Sequence, residues 1–373
     1  MELRWLHPNH LVLASLILLL VAQNTELTAA TDTIAFGQSA CFDGSLGLYG
    51  NIIKKAILTR MRYINDNGGI KGKKVTLMSL NDSGDPLKAQ ENTERMIKDG
   101  ITMFIGNMGT RSVLKVLPLI KSKKIAMFFP WCGDDKLRNH TLTNIINGPG
   151  LLNTQLDAIV DHIKKNLKFT QIAIFHADDN FSTSAATYLT SALKQQNIPP
   201  ATIASYNRFT MDIKKASNSL IDRDPKIVIC LSTTMPTVKL IDNFYVNGHY
   251  GTIFFGIDST LFVGNITHNR GVNFYYSSAV PNPQSSTIKL AQQYQHDIKK
   301  YFPKEIPNAL SFSYYLSTAI IIDAMQSIPG DITQKKIIDM IEKMKNHSID
   351  GFNITFNATN RHAFGEKISI IKG

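Results

Sequence analysis

Ile101-Thr102-Met103-Phe104-Ile105 and Ile125-Ala126-Met127-Phe128-Phe129 are two nearly continuous apolar runs, and the segment between them, Ser112 to Lys121, reads as a helix. A strand apolar at almost every position is built to be covered on both faces, as in a parallel sheet with helices on either side. The same beat extends outward. Upstream, Thr33 to Phe36 is a short apolar run, and Ile52, Ile53, Ala56, Ile57, Met61 and Ile64 then recur at helical spacing until Gly68-Gly69. Glycines there end a helix in the left-handed conformation. Lys74 to Leu80 is the next strand. Asp85-Pro86 starts a helix, with Asp as cap and Pro in the first turn, and Lys88 to Lys98 carries it. Downstream, helices from Leu151, Ser182, Ile213 and Thr237 alternate with strands at Gln171–Phe175, Ile203, Ile227–Leu231 and Thr252–Gly256.

This is an α/β pattern repeated in two runs, and it predicts two doubly wound parallel-sheet lobes. Gly148-Pro149-Gly150, Pro281-Asn282-Pro283 and Pro329-Gly330 break the rhythm. Three crossings between lobes make a three-segment hinge rather than one loose linker. In open α/β sheets ligands bind beyond the carboxyl ends of the strands, so two facing lobes place a site in the cleft between them.

Composition narrows the class. The 373 residues are 43% apolar and 18% charged, which excludes collagen-like and largely disordered chains. The net charge of +11 comes from 40 basic and 29 acidic residues. The lysines stand singly or in pairs such as Lys54-Lys55 and Lys299-Lys300, as on a solvated surface and not as a nucleic-acid footprint. Three cysteines make no disulfide framework, and no pair has metal-ligand spacing.

Leu11 to Ala22 is apolar except for Ser15, follows a short head carrying Arg4, and precedes Thr28-Ala29-Ala30. The run is too short to span a bilayer, which takes about 20 residues. It reads as a signal peptide, residues 1–30, cleaved near Ala30. The mature chain is then an exported protein, with no lipid anchor at Cys41, because Gln38-Ser39-Ala40 lacks the usual apolar residue and lies within the first strand.

Several stretches resemble the periplasmic solute-binding proteins of the branched-chain amino-acid and amide type, which serve ABC transporters. They are Ile34-Ala35-Phe36-Gly37-Gln38-Ser39-Ala40 with Gly44 and Gly50, then Asn67-Gly68-Gly69-Ile70-Lys71-Gly72-Lys73-Lys74-Val75 and Asn81-Asp82-Ser83-Gly84-Asp85-Pro86. Ile105-Gly106, Phe129-Pro130 and a terminal stretch from Asp350-Gly351 to Phe356-Asn357 follow in order. The resemblance implies a type 1 periplasmic binding fold. It puts residues 31–149 plus 282–329 in the N-terminal lobe and 150–281 plus 330–373 in the C-terminal lobe. It also implies a monomeric receptor in the periplasm that closes on one small-molecule ligand and presents it to a membrane ABC permease.

The resemblance also suggests ligand-binding residues. Thr110, at a helix start, is suited to a carboxylate through its hydroxyl and the free N–H groups beside it, or it only caps its helix. Arg111 departs from the family's small hydroxyl residue; it either adds a charge-assisted bond to an anion or points to solvent. Trp131 and Cys132 replace alanine-like residues, and Gly133 replaces a Thr, keeping only the N–H. Phe181 stands where the family often has a Tyr that closes over the ligand. Asp258 falls at the acidic position that meets a ligand ammonium, or it caps a helix. Tyr49 matches a side-chain contact, while Thr233-Thr234-Met235 lacks a second Tyr. Cys41 and Cys132, both at strand ends, are candidates for a disulfide if their Cα atoms lie within about 7 Å; Cys230 reads as a buried hydrophobe.

No cofactor or metal is expected, and no catalysis. His176-Ala177-Asp178-Asp179 is a weak metal constellation, and neither a Gly-x-Ser-x-Gly elbow nor a phosphate-binding Gly-rich loop occurs. An exported hydrolase is a remote alternative. A periplasmic sensing module reporting to a receptor or kinase is the nearer rival.

Overall fold

The first five strands run parallel, and all but the second are largely buried. A computed structural model of the protein describes residues 33–148, 152–365 and 367–373. The expected signal peptide and residues 149–150 of the first hinge segment lie outside them.

The first sheet contains Thr33–Ala40 (β1), Lys74–Asn81 (β2), Met103–Ile105 (β3), Ala126–Phe128 (β4) and Ile145–Ile146 (β5). Their order is β2-β1-β3-β4-β5, and every pairing is parallel, with Ile34 opposite Val75 and Ile105 opposite Phe128. Gly47–Asp66 (α1) connects β1 to β2, and Pro86–Lys98 (α2) connects β2 to β3. The Asp85 carboxylate accepts the Leu87 N–H at 2.8 Å, which is the expected cap. The helix expected over Ser112–Lys121 is two short ones, Thr110–Lys115 (α3) and Leu117–Lys121 (α4). Pro118 is the reason: it has no N–H, and its ring would collide with the carbonyl four residues earlier.

The second sheet contains Ile172–Ala177 (β6), Thr202–Tyr206 (β7), Ile227–Leu231 (β8), Ile253–Gly256 (β9), Asn273–Ser278 (β10) and Ser369–Lys372 (β14), in the order β14-β10-β9-β8-β6-β7. All pairs are parallel except β10 with β14. Leu152–His162 (α5) covers β10 and β14, Asn180–Gln195 (α6) covers β6, and Thr234–Val246 (α8) follows β8; Lys214–Ile221 (α7) lies on β7. In both sheets the strand order reverses beside the first strand, between β1 and β3 and between β6 and β8. Those reversals open crevices at the carboxyl ends.

Val263–Thr267 (α9) lies between β9 and β10, and Lys289–Tyr301 (α10) and Ala309–Gln326 (α11) return to the first lobe and pack on α1. The C-terminal boundary differs from the expected one. Gln334–Glu342 (α12) packs on α11, and a small antiparallel sheet of His347–Ile349 (β11), Phe352–Asn357 (β12) and His362–Phe364 (β13) follows. Its first hairpin turns through Asp350 and Gly351, both at positive φ, as a tight hairpin turn requires. The Arg361 guanidinium donates to the carbonyls of Ile145 and Thr143, and Asn147 exchanges backbone bonds with Arg361 and Ala363. Residues 334–364 therefore cover the open edge of the first sheet, and β14 alone of the tail joins the second. The physical reason is that a two-residue edge strand leaves backbone groups that need partners.

Candidate functional site

The site is assembled from loops at the carboxyl ends of β1, β3 and β4 on one lobe and β6, β8 and β9 on the other. Two first-lobe loops are zipped together: the Trp131 N–H donates to the Asn107 carbonyl at 2.8 Å, and the Gly109 N–H to the Trp131 carbonyl at 3.1 Å. This brings half-buried Thr110, at the start of α3, beside the buried Cys132 thiol, within hydrogen-bond reach of its hydroxyl. Burial raises the Cys132 thiol above its usual value, so it stays neutral.

Tyr49 sits in the first turn of α1. Gly50 behind it admits the close approach of β1's end, because a Cβ there would lie 1.9 Å from the Cys41 carbonyl oxygen. The Tyr49 ring stacks on Trp131 at 5.3 Å between centroids and 21° between planes. Its hydroxyl crosses to the second lobe, donating to the Ser259 carbonyl at 2.6 Å and accepting the Thr234 N–H at 3.2 Å. Thr234 and Ser259 were not singled out as site residues, although hydroxyl residues directly after apolar strands were a visible signal. Thr234 occupies the region where the second Tyr is lacking, and it is tied to Tyr49.

Phe181, in the first turn of α6, meets Gly133 across the cleft. A Cβ on Gly133 would stand 2.2 Å from Phe181 Cε2. A threonine at 133 and this ring position exclude each other, so the missing hydroxyl and the phenylalanine form one coupled departure.

Asp258 follows β9 and Ile257. Desolvation raises its carboxyl from 3.8 to about 6, against the opposing hydrogen bonds of the Ser259 N–H and the Gln155 side chain. Gln155 holds this turn in two ways: its side-chain oxygen accepts the Asp258 N–H at 3.3 Å and the Ser277 hydroxyl at 3.1 Å, and its amide also bonds the carboxylate. Gln155 escaped the sequence reading, yet it is a polar residue among the buried positions Leu156, Ile159 and Val160 of α5. Beside Asp258 is a cavity of about 10 Å³, room for about one water. Leu261, Tyr276 and Ser278 line it from the second lobe, and Leu310 and Ser313 of α11 from the first.

Arg111 is not brought into this cluster; its side chain is exposed. Its neighbours explain this, because Ser112 and Val113 fill the inward face of the short helix. Cys41, Cys132 and Cys230 are all free. The Cys41 thiol turns to the Asp43 carbonyl at 3.1 Å, and Cys132 to Thr110, so the two candidates for a disulfide are engaged separately.

Two doubly wound sheets with a polar cleft at their strand ends match known proteins along the whole described chain. Residues 33–371 match the periplasmic binding protein family. The chain belongs to that family. It is 26% identical over 171 residues to a Leu/Ile/Val-binding protein homolog of Brucella melitensis biotype 1, covering 46% of each chain. It is 25% identical over 239 residues to the leucine-specific-binding protein of Salmonella typhimurium, covering 64% of this chain and 59% of that one. The matched stretches thus span about half the length of these relatives. A possible leucine/isoleucine/valine-binding protein of Rhodopirellula baltica SH 1 has the same fold, with a TM-score of 0.80 at 21% identity, over 92% of this chain and 95% of that one. Among the described residues no helix is long and apolar enough to cross a membrane.

Proposed function

We propose that this periplasmic binding protein is an exported, monomeric, non-catalytic receptor that closes its two lobes on one small amino acid and delivers it to a membrane ABC permease. The observation that carries the reading is the half-buried, desolvated Asp258 carboxylate, the one acidic group among the proposed ligand contacts. A desolvated anion with no cation against it is costly, and a ligand ammonium supplies that cation. Thr110 and the free N–H groups at the start of its helix take the ligand carboxylate, and Trp131, Cys132, Gly133 and Phe181 form the walls. Tyr49 latches the closed form through Thr234 and Ser259. Segments near 148–150 and 281–283, together with the stretch between β13 and β14, serve as the hinge. The names of the relatives point to the same ligand class.

Calorimetry of the stripped protein against the twenty amino acids, acetamide and succinate tests the reading, with scattering on the same samples. One amino-acid class should bind at one site per chain and compact the particle. At about 100 times its dissociation constant it should stabilise the fold by about 2.7 kcal/mol. Binding restricted to acetamide or succinate, or binding without compaction, refutes the proposal.

A further inference from the structure

Asn147, where the first sheet leads into the hinge, gathers three segments of chain. Its side-chain amide donates to the carbonyls of Leu137 at 2.9 Å, Asn360 at 3.2 Å and Arg361 at 3.3 Å. Its backbone exchanges bonds with Arg361 and Ala363. The short helical turn Asp135–Arg138 is thereby held against β13 and the residues that enter it.

Two buried arginines belong to this junction, and only one of them is satisfied. The Arg361 guanidinium donates to the Ile145 carbonyl at 3.2 Å and the Thr143 carbonyl at 3.1 Å, and it pairs with the Glu342 carboxylate at 2.5 Å. Arg138 is only 8% exposed, yet among the described residues it forms no ion pair, and its Nη1 has no hydrogen-bond partner. The acidic residues of its own turn do not supply the counter-charge. Asp135 is exposed, and the Asp134 carboxylate caps the turn by accepting the Lys136 N–H at 2.8 Å. A buried cation without an anion against it costs the fold heavily.

Two more shielded atoms without partners lie at the same junction: Nε2 of His362 and the side-chain oxygen of Asn360. Burial, and then the charge of Arg138, holds the His362 imidazole down at about 4, so the ring is neutral and can carry its proton on Nε2. The Asn360 amide, turned end for end, offers its NH₂ at the same place. The three side chains together bring one positive charge and three sets of N–H donors. No carboxylate among the described residues answers them.

We propose that this junction is a binding site for one small monovalent anion of the halide class, held by Arg138, His362 and Asn360. One net positive charge calls for a single negative one, and atoms so shielded suit a monatomic ion. Asn147 leads into the first hinge segment, and the chain from β13 leads to the last. The ion therefore ties the loop that carries Trp131, Cys132 and Gly133 to two of the three crossings between lobes. The site is separate from the amino-acid cleft and does not depend on that reading.

The test compares melting of the stripped protein in sodium chloride and in sodium gluconate at pH 7 and equal ionic strength, for the wild type, Arg138→Met and Lys136→Met. Saturating chloride should raise the wild-type midpoint by about 2 °C or more. Lys136→Met removes the same charge from an exposed neighbour and should keep that difference, whereas Arg138→Met should lose it. In gluconate Arg138→Met should melt no lower than the wild type, because the bare cation is gone. Crystals grown with bromide in place of chloride should show an anomalous peak at hydrogen-bond distance from Arg138 Nη1. No chloride effect in the wild type, an undiminished effect in Arg138→Met, or a water in place of bromide each overturns the inference. A bromide peak with no effect on melting marks an adventitious ion only and overturns it too. If Arg138→Met does not fold, wild-type melting and the bromide crystals decide. None of these outcomes bears on the amino-acid reading, which stands or falls with Asp258.

Discussion

Asp258→Asn should damage binding and improve the stability of the ligand-free protein at neutral pH. In the folded chain the carboxyl is raised from 3.8 to about 6, chiefly by desolvation. For an acid shifted upward, the folded state binds more protons than the unfolded state between those two values. Stability is then fully present below about 3.8 and is lost as pH rises through about 6. Each tenfold shift in the protonation equilibrium corresponds to about 1.4 kcal/mol, so at pH 7 the ionised carboxylate costs the folded state about 3 kcal/mol. Asparagine keeps the size, and its oxygen can still accept the Ser259 N–H and the Gln155 amide, but it carries no charge. Urea unfolding of stripped wild type and variant should therefore differ by up to about 3 kcal/mol at pH 7, with the variant more stable, and converge near pH 4. Calorimetry at pH 7 should show the variant losing most of its affinity for an amino acid. In the wild type, affinity should decline as pH falls below about 6 and Asp258 is protonated. A variant less stable than the wild type at pH 7, or a difference that persists unchanged at pH 4, would refute the reasoning, because the burial penalty would then not be electrostatic.

Tyr49→Phe removes the hydrogen bonds to Ser259 and Thr234 while keeping the stack on Trp131, so affinity should fall about 10-fold, with a more open particle by scattering. Gly133→Ala places a methyl 2.2 Å from Phe181; affinity should fall, and Phe181→Leu should restore part of it, as a double-mutant cycle in calorimetry would show. Thr110→Val should weaken an amino acid by roughly 10- to 150-fold, as expected for one charge-assisted hydrogen bond. Arg111→Ala, on an exposed side chain, should stay within about 2-fold of wild type; calorimetry of both variants checks the pair, and the reverse ranking would place an arginine clamp at the carboxylate.

Much of the architecture was legible because its signals are local. The alternation of apolar runs and helical spacing, the Asp85 cap and the Asp350-Gly351 turn each depend on a few neighbouring residues. The reading failed where a local signal competed with another. Pro118 divides an expected helix, and residues 334–364 pack on the first lobe, because the exposed edge of β5 offers them hydrogen bonds. Within the proposed site, Thr110, Cys132, Gly133, Phe181 and Asp258 stand at strand or helix ends, where an α/β pattern directs attention. Gln155 left a trace as a polar residue on a buried stripe.

By itself, the amino-acid sequence determined two parallel α/β runs, their caps and turns, and the strand ends at which a ligand site must lie, because periodicity and backbone preference act over a few residues. Tertiary structure alone decided that Tyr49 bonds a carbonyl 210 positions away, that Phe181 fills the space a Cβ at 133 would need, and that the Asp258 turn is held by a glutamine 103 residues earlier. It also decided the charge properties of Asp258. Desolvation and hydrogen-bond satisfaction are sums over all atoms that surround a group, and those atoms come from both lobes.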